Sequence, residues 1–176
     1  MFSKAMFKHI RIIIILATLA AILFKFITGI TAMNKIKDEG ETLLLKLRPV
    51  DPRALMLGDY MALAYDRSAF PKASKDLAPQ GTLILNRDDH NVGTFGRIDD
   101  NPKMTNTEIR VKYALKRSRA DFGSARYYFQ EGTAESYEEA EYGVFKVSPT
   151  GHMILVALAD EDYKIIAVET AVVENP

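Results

Sequence analysis

The side chains that could bind a ligand or take part in catalysis lie in two short segments. Residues 51–65 contain acids, an arginine, a Gly-Asp pair and two tyrosines, and residues 126–132 contain an arginine, aromatic residues and a Glu-Gly pair. Carboxylates, guanidinium groups and tyrosine rings gathered at strand ends can form the rim of a binding groove. We therefore predict a binding site, with no metal or cofactor, from these residues: Asp51, Arg53, Gly58, Asp59, Tyr60, Leu63, Tyr65, Arg126, Tyr128, Glu131 and Gly132.

Residues 58–65 read Gly-Asp-Tyr-Met-Ala-Leu-Ala-Tyr, which predicts a turn followed by a strand. Gly58 permits a positive φ, and Asp59 can accept hydrogen bonds from nearby backbone N–H groups. Side chains alternate along a strand, which places Met61, Leu63 and Tyr65 on one face and Tyr60, Ala62 and Ala64 on the other. We predict that one tyrosine packs in the core while the other faces a groove, its hydroxyl paired with a charged neighbour. A purely structural turn and core strand is the alternative reading.

These eight residues resemble the signature of the GDYXXLXY family of membrane-anchored bacterial proteins. The preceding Asp51-Pro52-Arg53 resembles the family's lead-in, and residues 128–132 resemble its second block, an aromatic pair followed by Glu-Gly. One N-terminal span and a small extracytoplasmic domain match the family plan along nearly the whole chain. The resemblance implies no particular reaction. It does imply a multi-spanning membrane protein as partner, because family members are often encoded beside, or joined to, such proteins.

Two catalytic interpretations compete with the binding interpretation. A Gly-Asp pair before an alternating strand also resembles type I signal peptidases and related Ser-Lys proteases. The eight residues before the pair contain no Ser, Thr or Cys, so Lys112 and Lys116 would have no nucleophile to activate. A cell-envelope hydrolase with a carboxylate site that includes Asp51, Asp59 or Glu131 is the alternative function.

Two further clusters of polar residues have both a functional and a structural interpretation. Asp88-Asp89-His90 contains good metal ligands, but the same residues fit the polar tip of a hairpin. A basic patch could contact anionic headgroups or an acidic partner, and its members are Arg110, Lys112, Lys116, Arg117 and Arg119. The plainer interpretation is the solvated face of a half-buried strand, neutralised by the acidic stretch at residues 135–141.

The first 33 residues predict a transmembrane helix. Twelve Ile, Leu and Phe side chains fall between Ile12 and Ile30. A span of residues 10–30 would be about 31 Å long, which matches a bilayer core of roughly 30 Å. The apolar side chains favour insertion by about 4–7 kcal/mol, which exceeds the roughly 3 kcal/mol cost of a lysine at mid-bilayer. Lys25 lies off centre and can snorkel outward. A signal peptide cleaved near Ala32 is the alternative interpretation.

The positive-inside rule predicts the orientation, because three Lys or Arg residues precede the apolar run. We expect residues 1–9 in the cytoplasm, residues 10–33 as the bilayer anchor, and residues 34–41 as a juxtamembrane linker. Residues 42–176 would form a domain outside the cytoplasmic (inner) membrane, in the periplasm or at the cell surface.

From residue 41 onward, alternating apolar and polar residues predict short strands separated by turns. The predicted strands cover residues 42–48, 60–65, 82–86, 92–98, 109–116, 124–130, 144–148, 152–158 and 163–169. One short helix is predicted between Thr133, as its N-cap, and Gly143, which would end it. The predicted fold is mainly β, an antiparallel sandwich or partly open barrel with one short helix.

Composition excludes several classes of protein. The chain is 48% hydrophobic and 26% charged, which is typical of a folded protein rather than a disordered one. Residues 1–33 carry a net charge of +4, whereas residues 34–176 hold the other 19 basic residues and all 23 acids, a net charge of −4. An acidic domain argues against non-specific nucleic-acid binding. The absence of cysteine excludes disulfides and thiolate metal sites, and the sequence leaves homo-oligomerisation open.

Overall fold

The computed structural model describes residues 4–48, 60–71, 77–99, 103–116, 119–123, 126–130 and 132–167, and the side chains of all but 4–8 and 119–120. The chain divides into two compact units, of which the first ends at Lys35 and the second begins at Ile36. The candidate residues Asp51, Arg53, Gly58, Asp59 and Glu131 lie outside the described residues.

A long apolar helix, α1, covers Lys4–Glu39, a length of about 54 Å for its 36 residues. Among the described residues it is the one helix long and apolar enough to cross a membrane, and an 18-residue stretch within His9–Glu39 has a mean hydropathy of 2.5. Its threonine hydroxyls donate to carbonyls of the preceding turn, as in Thr18 to Ile14 (2.8 Å) and Thr31 to Ile27 (2.9 Å). This internal pairing suits a helix in lipid, where no water satisfies polar groups. The helix is consistent with a single-pass membrane anchor.

Nine strands follow in the described part of the second unit. They are β1 (Glu41–Lys46), β2 (Tyr60–Ala62), β3 (Gln80–Arg87), β4 (Gly93–Ile98), β5 (Glu108–Lys116), β6 (Arg119–Asp121), β7 (Arg126–Tyr128), β8 (Tyr142–Val147) and β9 (Met153–Ala159). They form three antiparallel sheets with strand orders β1-β8-β9, β4-β3-β5-β6 and β2-β7. The predicted class, mainly β with antiparallel sheets, is confirmed, and the described strands form no closed barrel.

The main core lies between the three-stranded and the four-stranded sheet. Leu43, Leu45, Phe145 and Val147 from the first sheet pack with Leu83, Leu85, Ile109, Val111 and Tyr113 from the second. These side chains occupy alternate strand positions, because neighbours along a strand point to opposite faces. The alternation predicted for β1 and β5 is therefore confirmed.

At Leu44, strand β1 is also buried on its second face, which the alternation did not predict. Leu44 points away from the main core, yet only 5% of it is exposed. It packs with Tyr142, Val144 and Ala159 under the tip of the β3–β4 hairpin, where the Leu44 N–H donates to the Asn91 carbonyl at 2.9 Å. A non-local element thus covers a face that the local sequence cannot identify as buried.

Three hairpin turns share one geometry. They begin at Asp88, Ser148 and Asp160, and in each the side-chain oxygen of that residue accepts a backbone N–H four residues later. The residue before that N–H has a positive φ, namely 63° at Asn91, 82° at Gly151 and 64° at Tyr163. Tyr163 is therefore a turn residue, and the strand predicted over residues 163–169 is wrong as far as the described residues reach. In its place an isolated bridge joins Ile165 to Ala159.

The helix predicted between Thr133 and Gly143 is a 3-10 turn, Ala134–Tyr137, that ends well before Gly143. A second 3-10 turn, Arg67–Ala69, lies in the described part of the domain. The Thr133 hydroxyl donates to the Gln130 carbonyl at 2.6 Å instead of capping the helix. Gly143 lies inside β8, where an added Cβ would approach Tyr65 and Phe145 within 3.3 Å. The glycine therefore allows close packing of aromatic rings instead of ending a helix.

Candidate functional site

The two sequence segments predicted to form a site meet in the β2–β7 ribbon. Tyr60 pairs with Tyr128, Met61 with Tyr127, and Ala62 with Arg126. Just after β2, the chain joins the extension of β1, because Arg48 N–H donates to the Ala64 carbonyl at 2.7 Å. Residues 58–65, which we call the octet, thus hold the ribbon against the three-stranded sheet through their C-terminal end.

Three side chains lie together on the outer face of this ribbon, and we call them the Tyr-Arg face: Tyr60, Arg126 and Tyr128. The rings of Tyr60 and Tyr128 are 5.7 Å apart between centroids and tilted by 48°. The Arg126 guanidinium lies 5.1 Å from the centroid of the Tyr60 ring. In an antiparallel ribbon a side chain contacts the residue directly opposite and its diagonal neighbours on the other strand. Tyr128 lies directly opposite Tyr60, and Arg126 is the diagonal neighbour of Tyr60. Tyr128 remains 69% exposed, so the face is available to a partner.

The electrostatics of the Tyr-Arg face favour a permanent cation. A hydrogen bond to Tyr128 raises the pKa of Arg126 above its ordinary value, and the nearby Tyr60 adds to this effect. Arginine over an aromatic face is held by the ring quadrupole while its remaining donors stay open to a ligand. The face therefore offers aromatic surface together with a planar donor group. Such a combination suits an anionic or carbonyl-bearing partner.

The inner face of the ribbon is a core rather than a site. Met61, Leu63 and Tyr65 pack in one cluster with Tyr127, Phe129 and Tyr137. Tyr137 is its centre, with ring centroids 5.4 Å from Tyr127 and 5.1 Å from Phe129. The predicted shared face of Met61, Leu63 and Tyr65 is therefore confirmed.

The two octet tyrosines do point in opposite directions. Tyr65 is the core tyrosine, with its ring 5.7 Å from that of Phe145. Burial, with a smaller effect from the negative charge of Asp121, raises the pKa of Tyr65 far above its usual range. Tyr60 is the outer tyrosine, and its ring, rather than its hydroxyl, faces the charged Arg126. The octet thus combines a structural strand with one outward aromatic residue.

Of the other predicted site residues, Leu63 belongs to the core and Gly132 belongs to a turn. Gly132 has a φ of 81° between Gln130 and Thr133, whose backbone groups are bonded at 3.2 Å. An L-residue at this φ would be strained, so the glycine is explained by the turn. The structure brings together Tyr60, Arg126 and Tyr128, assigns Leu63 and Tyr65 to the core, and assigns Gly132 to a turn.

Tyr127 and Tyr137 support the site but were not predicted for it. Burial, with a hydrogen bond to Tyr137, raises the pKa of Tyr127 to about 12. The sequence signal for Tyr137 is an isolated aromatic residue within the acidic stretch of residues 135–141. An aromatic residue among acids has little reason to face water, and this could have identified it as a packing residue.

The Asp88-Asp89-His90 segment is a hairpin tip. The Asp88 carboxylate accepts from the backbone N–H groups of His90 (2.9 Å) and Val92 (2.8 Å). The His90 ring stacks on Tyr163, with centroids 4.4 Å apart and planes 10° apart. Within the described residues no group of three potential ligands is close enough to hold a metal ion.

The basic patch is largely paired within the domain. Arg110 donates to Asp99 at 2.7 Å, Lys116 pairs with Asp121, and Lys112 donates to His152 Nε2 at 2.9 Å. Arg117 and the side chain of Arg119 lie outside the described structure. The interpretation as the solvated face of a strand fits these contacts. The expected neutralisation by residues 135–141 is wrong for Arg110 and Lys116, whose partners come from other loops and strands.

Both strands of the β2–β7 ribbon lie within the part of the chain that matches a known protein family. A family described as GDYXXLXY protein matches residues 22–158, which includes the second part of α1 and every strand except the last residue of β9. No curated protein and no solved structure matches the chain.

Proposed function

The chain belongs to the GDYXXLXY family, and from this premise we propose that it is a single-pass membrane protein whose β domain binds another component of the cell envelope. The proposed partner is a multi-spanning membrane protein. Binding through the Tyr-Arg face would need no cofactor, because its aromatic rings and guanidinium group can contact a partner directly.

The Tyr-Arg face is the observation that carries the proposal. Tyr60 comes from the family octet, whereas Arg126 and Tyr128 come from the second segment, so both segments contribute to one exposed surface. Tyrosine and arginine are enriched where proteins bind each other, because they combine large contact area with hydrogen bonding. The inner face of the same ribbon is packed, and this gives the outward residues a rigid support.

The anchor and its orientation are part of the proposal. Residues 10–33 would lie in the bilayer, residues 1–9 in the cytoplasm and residues 34–41 between bilayer and domain. Within that last segment α1 continues to Glu39 and β1 begins at Glu41. The β domain, residues 42–176, would then face the periplasm or the cell exterior. The basic N-terminus supports this direction through the positive-inside rule.

Site-specific photocrosslinking in native membranes tests the partner. We would place a benzoylphenyl side chain at Tyr128 in the full-length protein, and the same group at Ile165 as a control. Ile165 is a matched position, because it is 61% exposed against 69% for Tyr128 and lies after the β9 turn. We expect one reproducible adduct with a multi-spanning membrane protein from position 128 and none from position 165.

Two variants make the test specific to the Tyr-Arg face. Tyr60→Ala and Arg126→Gln, each combined with the crosslinker at 128, should lower the adduct yield at least about fivefold, as loss of a binding hot spot does. Equal adducts from positions 128 and 165, or adducts unchanged in both variants, would refute binding through this face.

A further inference from the structure

Lys25 is a charged residue inside an otherwise uncharged stretch of α1. Along the helix it is five residues, about 8 Å, from residue 30 and about 22 Å from residue 10. The nearer end of the span is therefore the C-terminal one. Helical side chains lean toward the N-terminus, so the long Lys25 chain leans away from that nearer end. This lean lengthens the path of the ammonium group to water at that end, so an anionic partner inside the membrane would stabilise its charge.

The residues in line with Lys25 are small. Spacings of three and four residues, which follow one seam of a helix, connect these positions: Thr18, Ala21, Lys25, Thr28 and Ala32. The side opposite this seam carries large residues, including Ile12, Leu16, Leu23, Ile27 and Ile30. Small residues let a second helix approach closely in a membrane, where packing rather than hydrophobicity drives association.

The polar groups of the seam differ in what they can still bind. The Thr18 hydroxyl donates to the Ile14 carbonyl at 2.8 Å, and the Thr28 hydroxyl donates to the carbonyl of Lys25 at 3.0 Å. Both threonines are therefore satisfied within the helix. The ammonium group of Lys25 is the group of the seam that can offer charge-assisted hydrogen bonds to a neighbour.

Charge decides which neighbour fits. A second copy packed in parallel through the same seam would place Lys25 against Lys25, which is repulsive at low dielectric. The chain cannot supply a carboxylate at this depth, because its first acid is Asp38, about 20 Å further along the helix. The complement is a different transmembrane helix that carries one Asp or Glu at the depth of Lys25.

We propose that Lys25 and its small-residue seam bind an acidic transmembrane helix of the partner protein. This inference rests on the proposed function in that a multi-spanning partner supplies the helix. It adds a second contact, within the bilayer, that specifies the chemistry of the partner: one carboxylate facing small side chains. Lys25 then acts as the residue that selects the partner and sets its depth.

A defined probe tests this pairing. We would reconstitute the full-length protein, labelled with a donor fluorophore, in vesicles of phosphatidylcholine and phosphatidylglycerol. The probe is an acceptor-labelled transmembrane peptide of Leu and Ala with a single Glu at the depth of Lys25, and its control has Gln there. We expect association with the Glu peptide to be about threefold to tenfold stronger than with the Gln peptide.

Variants of the chain separate charge from packing. Lys25→Leu should remove the preference for Glu, and Lys25→Glu should transfer it to a peptide with Lys at the same position. Ala21→Leu should weaken association because it fills the seam. Ala20→Leu is the matched control, since Ala20 lies about 140° away around the helix from Lys25.

The outcomes are distinguishable from those of the crosslinking experiment. Equal association of Glu and Gln peptides, or equal effects of Ala20→Leu and Ala21→Leu, would overturn the membrane contact while a specific adduct at position 128 would still stand. Strong self-association of the unmodified chain that Lys25→Leu does not increase would also overturn the argument from charge repulsion. A Glu preference without an adduct at position 128 would support the helix contact and refute the Tyr-Arg face.

Discussion

Tyr60 and Tyr65 belong to one octet, but one lies on the outer face of the β2–β7 ribbon and the other lies in the core. Tyr60 has Arg126 over its ring at 5.1 Å, whereas Tyr65 packs on Phe145 at 5.7 Å between centroids. Tyr60 and Tyr65 are five positions apart, and an odd separation along an extended strand places two side chains on opposite faces. Substitutions of Tyr60 and Tyr65, which look equivalent in the sequence, should therefore have different effects.

Tyr65→Ala should be strongly destabilising. Removing a ring from the cluster around Leu47 and Tyr137 leaves a cavity, for which we expect a loss of about 2–4 kcal/mol in the free energy of unfolding. Tyr128→Ala should change it by less than about 0.5 kcal/mol, because that ring is largely exposed. Urea unfolding followed by near-ultraviolet circular dichroism measures both. Similar losses in the two variants would contradict the division between core and outer tyrosine.

Stability should fall at alkaline pH. Burial, with a hydrogen bond to a second tyrosine in each case, raises the pKa of Tyr127 and of Tyr142 to about 12. A folded-state pKa above the unfolded value near 10 means that the stabilisation is complete below pH 10 and is lost as pH rises from about 10 to 12. The unfolding midpoint in urea should decline through this window.

Tyrosine replacement provides the control for the alkaline effect. Tyr127→Phe should flatten the decline between pH 10 and 12, because the group that resists ionisation is gone, and Tyr142→Phe should flatten it for the same reason. Tyrosinate absorbance would record the ionisation directly. A decline with the same slope in all variants would assign the alkaline sensitivity to other groups.

His90 and Tyr163 should be energetically coupled. Tyr163 adopts a left-handed φ of 64°, which is unfavourable for a large side chain, and its ring stacks on His90 at 4.4 Å. In a double-mutant cycle with His90→Ala and Tyr163→Ala, we expect a coupling of about 0.5–1.5 kcal/mol. A cycle of His90→Ala with Tyr128→Ala serves as the uncoupled reference. Coupling as small as in that reference would mean that the stack does not stabilise the turn.

The ion pair of Asp99 and Arg110 should stabilise the fold more than the ion pair of Asp162 and Lys164. Their side chains are 15% and 28% exposed, whereas Asp162 and Lys164, bonded at 3.0 Å, are 68% and 74% exposed. We expect a coupling near 1 kcal/mol for Asp99→Asn with Arg110→Gln and close to zero for the exposed pair, because water screens it. Urea unfolding at low and high salt measures both cycles. A larger coupling for the exposed pair would contradict this ranking.

Local patterns were sufficient for a large part of the fold. The period-two alternation at Ile109, Val111 and Tyr113 predicted a half-buried strand, and all three side chains are buried. The turn residues between 87 and 91 predicted the β3–β4 hairpin. Each of these features depends on neighbours within a few residues, so one sequence contains the required information.

Non-local contacts account for the errors. Tyr163 looked like the start of a strand because it follows an acidic turn and precedes apolar residues, yet stacking on His90 holds it in the turn itself. Arg110 was expected to meet residues 135–141, but the sheet brings Asp99 to it. Which acid meets which base depends on strand order, which has no local signature.

The sequence by itself determined the apolar helix, the β-rich domain, the family octet and the opposite directions of its two tyrosines, because helical length, hydropathy and strand alternation are local properties. The tertiary structure decided that Tyr60 faces Arg126 and Tyr128, because the pairing of β2 with β7 joins segments distant in the chain. It also decided that Leu44 and Tyr137 are buried, since the elements that cover them come from elsewhere in the fold. Alternation along one strand does not specify which strands pair or which elements cover them, so burial and pairing depend on how the sheets assemble.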